Sequence, residues 1–182
     1  MGCSKLTLPW GDETVIARVV GTLLRAGCAP VVVVTGGWRD EVEAALAHLP
    51  VRCVPNPAYH DGAMLRSLQC GLAALAEEPH LGATLVALGD QPAVPEAVPR
   101  ALRRAWATAP EALWHPTCAG RRGHPWVLPR DYWAALRFQP PTRPLRDALR
   151  DLNAPRRTLP VDTPAILQDL DTPEDYARLR PR

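Results

Sequence analysis

Val31-Val32-Val33-Val34-Thr35 constrains this chain more than any other stretch. β-branched side chains are stiff and favour strands. Five in a row, with no polar alternation, suit a strand buried on both faces. Pro30 opens the run and Gly36-Gly37 closes it. A strand of that kind needs helices above and below it.

The flanking residues supply them. Val15, Ile16, Val19, Val20, Leu23 and Leu24 recur at helical spacing. They predict a helix over 13–26, with Asp12 as N-cap and Gly27 as stop. A second helix is expected over 40–49, a strand over 51–54 and a third helix over 64–76. The pattern continues with a strand over 84–88 and a helix over 96–107. Segments 112–117 and 125–129 flank the turn Ala119-Gly120-Arg121-Arg122-Gly123. Short helices are expected over 131–137 and 144–152, and short strands over 157–161 and 166–170. Thr172-Pro173-Glu174-Asp175 predicts a capped final helix. Alternating strands and helices imply an α/β fold with a mostly parallel, mixed sheet and helices on both faces. The expected organisation is one domain over 1–182.

Composition narrows the partners. A net charge of +2 is too small for nucleic-acid or membrane binding by bulk electrostatics. No apolar run approaches the roughly 20 residues a membrane helix needs, and no signal peptide is visible. The 5 cysteines are scattered, with no Cys-x-x-Cys pair. Zinc and disulfide frameworks are therefore not expected, and a reducing cytoplasm fits. Of 21 basic side chains, only Lys5 is a lysine. A lysine kept among arginines suggests a site that wants a compact ammonium.

The apolar run at Thr84–Leu88 meets Gly89-Asp90-Gln91-Pro92. Asp90 thus falls at the carboxyl end of a strand, where open α/β sheets bind ligands. A carboxylate there suits a metal ion on a phosphate. The same residues also suit a surface turn in which Asp90 caps the next segment. Asp169 and Asp171 lie two apart, so on an extended strand both would face one side. Asp171 equally suits the start of the last helix.

Five blocks, in order, carry a resemblance. They are Lys5-Leu6-Thr7-Leu8-Pro9-Trp10-Gly11, Asn56-Pro57 with Met64–Leu72, Gly89-Asp90-Gln91-Pro92, Gly120-Arg121-Arg122-Gly123-His124-Pro125, and Asp169–Asp175. Together the blocks resemble the molybdenum cofactor cytidylyltransferases and their relatives among nucleotidyltransferases. The resemblance implies a Rossmann-like fold of the nucleotide-diphospho-sugar transferase type. It implies transfer of a nucleoside monophosphate, CMP above all, from a nucleoside triphosphate to the phosphate of a molybdopterin-type cofactor, with a molybdoenzyme as a further partner. By the same resemblance Lys5 and Asp90 are catalytic. Lys5, Asn56, Ser67 and Gly89 bind the nucleotide. Arg121, Arg122 and His124 bind the acceptor. Asp90, Asp169 and Asp171 hold Mg²⁺ or Mn²⁺. The alternatives are a non-catalytic nucleotide- or pterin-binding relative, or guanylyl transfer to another phosphorylated acceptor.

The chain departs from the family pattern in two places. Arg66 replaces a small serine, and Ala63 stands where a glycine precedes Met64, with Gly62 one residue early. The family also opens with a strand and the pattern Leu-Ala-Ala-Gly-x-Ser-x-Arg-Met-Gly, which Met1-Gly2 matches only at its end. Either the start lies upstream of Met1 or this is a shortened relative. A chain without the phosphate-cradling loop is expected to be poorly active and marginally stable.

Overall fold

The computed structural model describes residues 4–61 and 64–181. Cys3, Gly62 and Ala63 lie outside them. The fold is α/β, as expected. A small hairpin, β1 (Pro9–Trp10) and β2 (Glu13–Thr14), leads into α1 (Val15–Arg25). Strand β3 (Val31–Thr35), helix α2 (Arg39–Leu46) and strand β4 (Val51–Pro55) form a parallel unit, paired from Val31 with Val51 to Thr35 with Pro55. Helix α3 (Met64–Leu75) crosses to β5 (Ala83–Val86), and α4 (Ala97–Trp106) follows.

The second half builds a mixed sheet around β6 (Leu113–Cys118), β7 (Arg121–Arg122), β8 (Trp126–Pro129) and β9 (Arg156–Pro160). Its order is β5-β8-β6-β7, with β9 parallel to β6 and the remaining pairs antiparallel. Helices α5 (Trp133–Arg137), α6 (Leu145–Arg150) and α7 (Pro173–Leu179) complete the chain. On one face α3, α5 and α6 pack over β6 and β8, through Leu65, Leu72, Leu128 and Leu136. On the other, α1 and α2 cover β3 and β4, and α4 covers β6 and β8.

Local chemistry explains where the elements begin and end. The N-cap of α1 is Thr14, not Asp12: the Thr14 hydroxyl accepts from Ala17 N at 3.3 Å. Asp12 instead sits in the β1–β2 turn, because Glu13 and Thr14 remain extended to pair with Trp10 and Pro9. Gly27 does stop α1, at φ +80, where a side chain would be strained. Helix α2 is shorter than expected, ending at Leu46. The expected strand over 166–170 is a 3-10 turn, Pro164–Leu167, capped by Thr163. Proline there gives no ladder donor and presets the turn. The β6–β7 hairpin turns at Ala119 and Gly120, both with positive φ, as a two-residue connection requires.

One expectation fails in an informative way. Val31 is buried, but Val32, Val33 and Val34 are only half-buried. Strand β5 is likewise half-buried throughout. Among the described residues β3 pairs only with β4, and β5 only with β8. The two strands face each other across a cavity of about 810 Å³.

Candidate active site

Lys5 begins a short 3-10 turn, Lys5–Thr7, capped by the Ser4 hydroxyl. Leu6 anchors this turn against both the α1 core and a smaller cluster of Trp10, Val15 and Leu170. Helix α7 secures the same cluster from outside. Its capping box joins Thr172 to Asp175, and Tyr176 donates its hydroxyl to Pro9 O. Two sequence-distant segments are thereby clamped at the carboxyl ends of the strands.

Lys5 is the centre of what they hold. Its ammonium lies 2.6 Å from Asp90 Oδ2 and 3.0 Å from Asp171 Oδ1. Burial works against the charge on Lys5, but the two carboxylates outweigh it and raise the pKa above the ordinary lysine value. Asp90 is held in turn by its backbone, whose carbonyl accepts from Leu170 N at 3.1 Å. Gly89 packs beneath Ile16 and Leu6.

Asp169 and Asp171 do not face the same way. With no strand at 166–170, Asp171 reaches Lys5 while Asp169 turns inward to Gln91. The Gln91 amide donates to Asp169 Oδ1 at 2.6 Å and to Ile166 O at 3.4 Å. Gln91 is almost fully buried. Its position beside Asp90 in the sequence was visible, but its role as the orienting hand on Asp169 was not.

His124 approaches from the β7–β8 connection. Gly123 makes that approach feasible: a Cβ there would fall 2.2 Å from Ile166 O. His124 N donates to the same carbonyl at 3.0 Å. Burial lowers the His124 pKa, with Asp169 and Asp90 partly offsetting it, so the imidazole is neutral at pH 7. Arg121 and Arg122 are exposed on β7 and make no ion pair among the described residues. Asn56 and Ser67 stand at another side of the site. Asn56 Nδ2 donates to Ser67 Oγ at 3.1 Å, and Asn56 Oδ1 accepts from Ala58 N at 3.0 Å. Asn56 thus orients Ser67, which lines the cavity.

His115 belongs to the site's surroundings and was not singled out by the sequence. Its ring stacks on Trp126, 5.5 Å apart and nearly parallel. Burial, then the charges of Arg122 and Arg156, push its pKa down to about 4.

Two carboxylate oxygens converging on one cation are a fair test of metal fit. Mg²⁺ is commonly bound by one or two carboxylates, with phosphates and water filling the other positions. Asp90 and Asp171 meet that requirement, with the Lys5 ammonium between them. Among the described residues no cluster of three or more metal-ligating side chains exists, so the fit is to an open site.

The chain matches the model of the MobA-like NTP transferase domain over residues 1–158. It belongs to that family. The fold is also that of solved relatives. Rv0371c from Mycobacterium tuberculosis H37Rv is 28% identical, with a TM-score of 0.81 over 98% of this chain and 89% of that one. A manganese complex of Rv0371c gives 29% identity and a TM-score of 0.77, over 97% and 90%. A nucleotidyl transferase from Methanothermobacter thermautotroptrophicus gives 27% and 0.78, over 97% and 83%. No curated protein sequence matches the chain significantly. The described residues contain no helix long and apolar enough to cross a membrane.

Proposed function

We propose that this MobA-like domain transfers CMP from CTP to the phosphate of a molybdopterin-type cofactor and releases pyrophosphate. The observation that carries the reading is the Asp90–Lys5–Asp171 bridge, with Asp90 just beyond the carboxyl end of β5. An acceptor phosphate is already an anion, so the reaction needs no strong base. Its oxygen attacks the α-phosphorus, and the bond from that phosphorus to the bridging oxygen of pyrophosphate breaks. The protein's tasks are alignment and charge neutralisation.

Each side chain has a part in this reading. Lys5 neutralises a phosphate oxygen as a point charge. Asp90 and Asp171 would hold Mg²⁺ or Mn²⁺, which would supply charge neutralisation for the triphosphate. Asp169, fixed by Gln91, orients the Asp90 turn from behind. Asn56 and Ser67 contact the nucleoside. Arg121 and Arg122 take the acceptor phosphate, and neutral His124 donates a hydrogen bond to it. The reading places the enzyme in the cytoplasm, delivering its product to a molybdoenzyme.

The test is pyrophosphate release from CTP, GTP, ATP and UTP, with Mg²⁺ or Mn²⁺ and molybdenum cofactor. Cofactor-dependent release, greatest with CTP and abolished in Asp90→Ala, is expected. Cofactor binding with no release from any triphosphate would make the chain a carrier.

A further inference from the structure

His115 holds a buried ring nitrogen with nothing to bond. Its Nδ1 is enclosed and has no hydrogen-bond partner. The ring is fixed all the same, stacked 5.5 Å from Trp126 and nearly parallel to it. Nε2 is the nitrogen left open to a partner. With a pKa of about 4, the imidazole is neutral at pH 7 and carries one ring proton. A buried N–H without an acceptor is rarer than a buried lone pair without a donor. The proton therefore belongs on Nε2, where His115 offers a neutral donor.

The ladder shows what surrounds that donor. Alternate residues along a strand share a face, and so do residues paired across neighbouring strands. His115 pairs with Thr158, Leu113 with Arg156, and Thr117 with Arg122. Arg122, Arg156 and both threonines therefore share the His115 face. Along β6 the residues paired with the two arginines stand two positions to either side of His115, about 7 Å at ~3.3 Å per residue. The apolar part of this face lies under the core built on Leu113, Trp126 and Leu128. Beyond it His115 and Thr117 are half-buried, while Arg122, Arg156 and Thr158 are exposed.

Charge on this shelf has one sign. Among the described residues Arg122 and Arg156 form no ion pair. Arg156 Nη2 donates to Leu149 O at 2.7 Å, which pins that guanidinium at the end of α6. Burial first, then the charges of Arg122, Arg156 and His124, lower the His115 pKa, and no carboxylate counters them. Two uncompensated guanidiniums beside a neutral N–H suit an oxyanion. The arginines supply charge and the imidazole supplies direction.

The shelf lies at the same end of the sheet as Asp90. Strands β5 and β6 run parallel, since each is antiparallel to β8. His124 links the two regions: Asp169 and Asp90 act on its ring, and its ring acts on His115.

We propose that His115, Arg122 and Arg156 form an oxyanion-binding site on this sheet face, separate from the Lys5–Asp90–Asp171 cluster. Its occupant is a phosphate-like group, either a free anion or an acidic group of the acceptor other than the phosphate that is attacked. Arg122 borders both this site and the acceptor phosphate. The assignment stands on the ladder register and the unbonded ring nitrogen, not on the proposed CMP transfer.

The test uses the 182-residue protein, inorganic phosphate and constant ionic strength at pH 7. Long-range proton–nitrogen spectra should show the His115 proton on Nε2, and phosphate should move that resonance saturably. A proton on Nδ1, or no shift with phosphate, would overturn the site. Arg156→Gln should weaken phosphate binding about five- to tenfold. Arg157→Gln is the control, because Arg157 pairs with Trp114 and so points to the opposite face; its affinity should stay within about twofold. Equal losses in the two variants would mean bulk charge alone and would overturn the site. Arg156→Gln also releases Leu149 O, so His115→Phe serves as a second variant that keeps the ring on Trp126. Unchanged phosphate affinity in His115→Phe, measured by calorimetry, would likewise overturn the site. Molybdenum cofactor then replaces phosphate in the same titration. An Nε2 shift that Arg156→Gln suppresses identifies an acidic group of the acceptor as occupant; a shift with phosphate alone identifies the free anion. No readout depends on pyrophosphate release, so failure of this site and failure of the proposed transfer are distinguishable.

Discussion

Lys5→Met should tighten manganese binding while it destroys turnover. The Lys5 ammonium sits 2.6 Å and 3.0 Å from the two carboxylate oxygens that a metal would use. A divalent ion bound to those oxygens at about 2.0–2.1 Å leaves no room for the ammonium, which must withdraw. The cost of withdrawal sets the effect. At an effective dielectric near 20, each contact carries on the order of 5 kcal/mol of Coulomb energy, most of it returned when the ammonium is rehydrated. Asp171 is 68% exposed, so its pair falls at the low end of the range for surface pairs, a few tenths of a kcal/mol. Lys5 and Asp90 are 33% and 19% exposed, and their pair holds more. A net competition of about 1–2 kcal/mol follows, or roughly a 5- to 30-fold gain in Mn²⁺ affinity for Lys5→Met. Lys5→Arg keeps the charge and should gain little. Free Mn²⁺ followed by electron paramagnetic resonance reads the affinity directly, without substrate. Equal or weaker Mn²⁺ binding by Lys5→Met would refute the idea that lysine and metal share one seat.

The supporting frame gives further expectations. Gly123→Ala forces the backbone at Ile166 to move, since the new Cβ would lie 2.2 Å from its carbonyl oxygen; urea unfolding should show a loss of about 1–3 kcal/mol. A loss below ~0.5 kcal/mol would mean the loop yields freely. Thr172→Ala removes the α7 cap and should lower stability by about 1 kcal/mol, and faster amide exchange at Lys5–Thr7 would show that α7 clamps the lysine turn. His115 has a folded pKa of about 4 against an ordinary 6.5. The unfolded chain therefore takes up its proton first, and stability falls as pH drops from 6.5 towards 4. His115→Phe, which keeps a ring against Trp126, should flatten the melting temperature over that window by up to about 3 kcal/mol of linkage; an unchanged profile would remove His115 from the acid response.

The elements set by local rules were legible, and those set by remote partners were not. Period-3.6 apolar spacing located α1, and the valine run located β3. The start of α1 escaped because Glu13 and Thr14 pair with β1, a contact that no cap rule anticipates. Asp169 and Asp171 were legible as candidates but not as opposites. Their separation rests on Pro164 turning the chain and on buried Gln91 claiming Asp169. His115 escaped altogether, because its lowered pKa comes first from burial and then from Arg122 and Arg156, none of it visible from its sequence neighbours. Lys5 was legible for an unusual reason: one lysine among 21 basic residues is conspicuous before any contact is known. The geometry of its contacts suits a compact ammonium. A planar fork spreads its donors over five N–H groups, whereas Asp90 Oδ2 and Asp171 Oδ1 both point to a single nitrogen. The half-buried valines make the converse case. Their composition suits full burial, an environment that β4, α1 and α3 do not complete, so the mismatch between sequence and burial falls on the wall of the cavity rather than in the core.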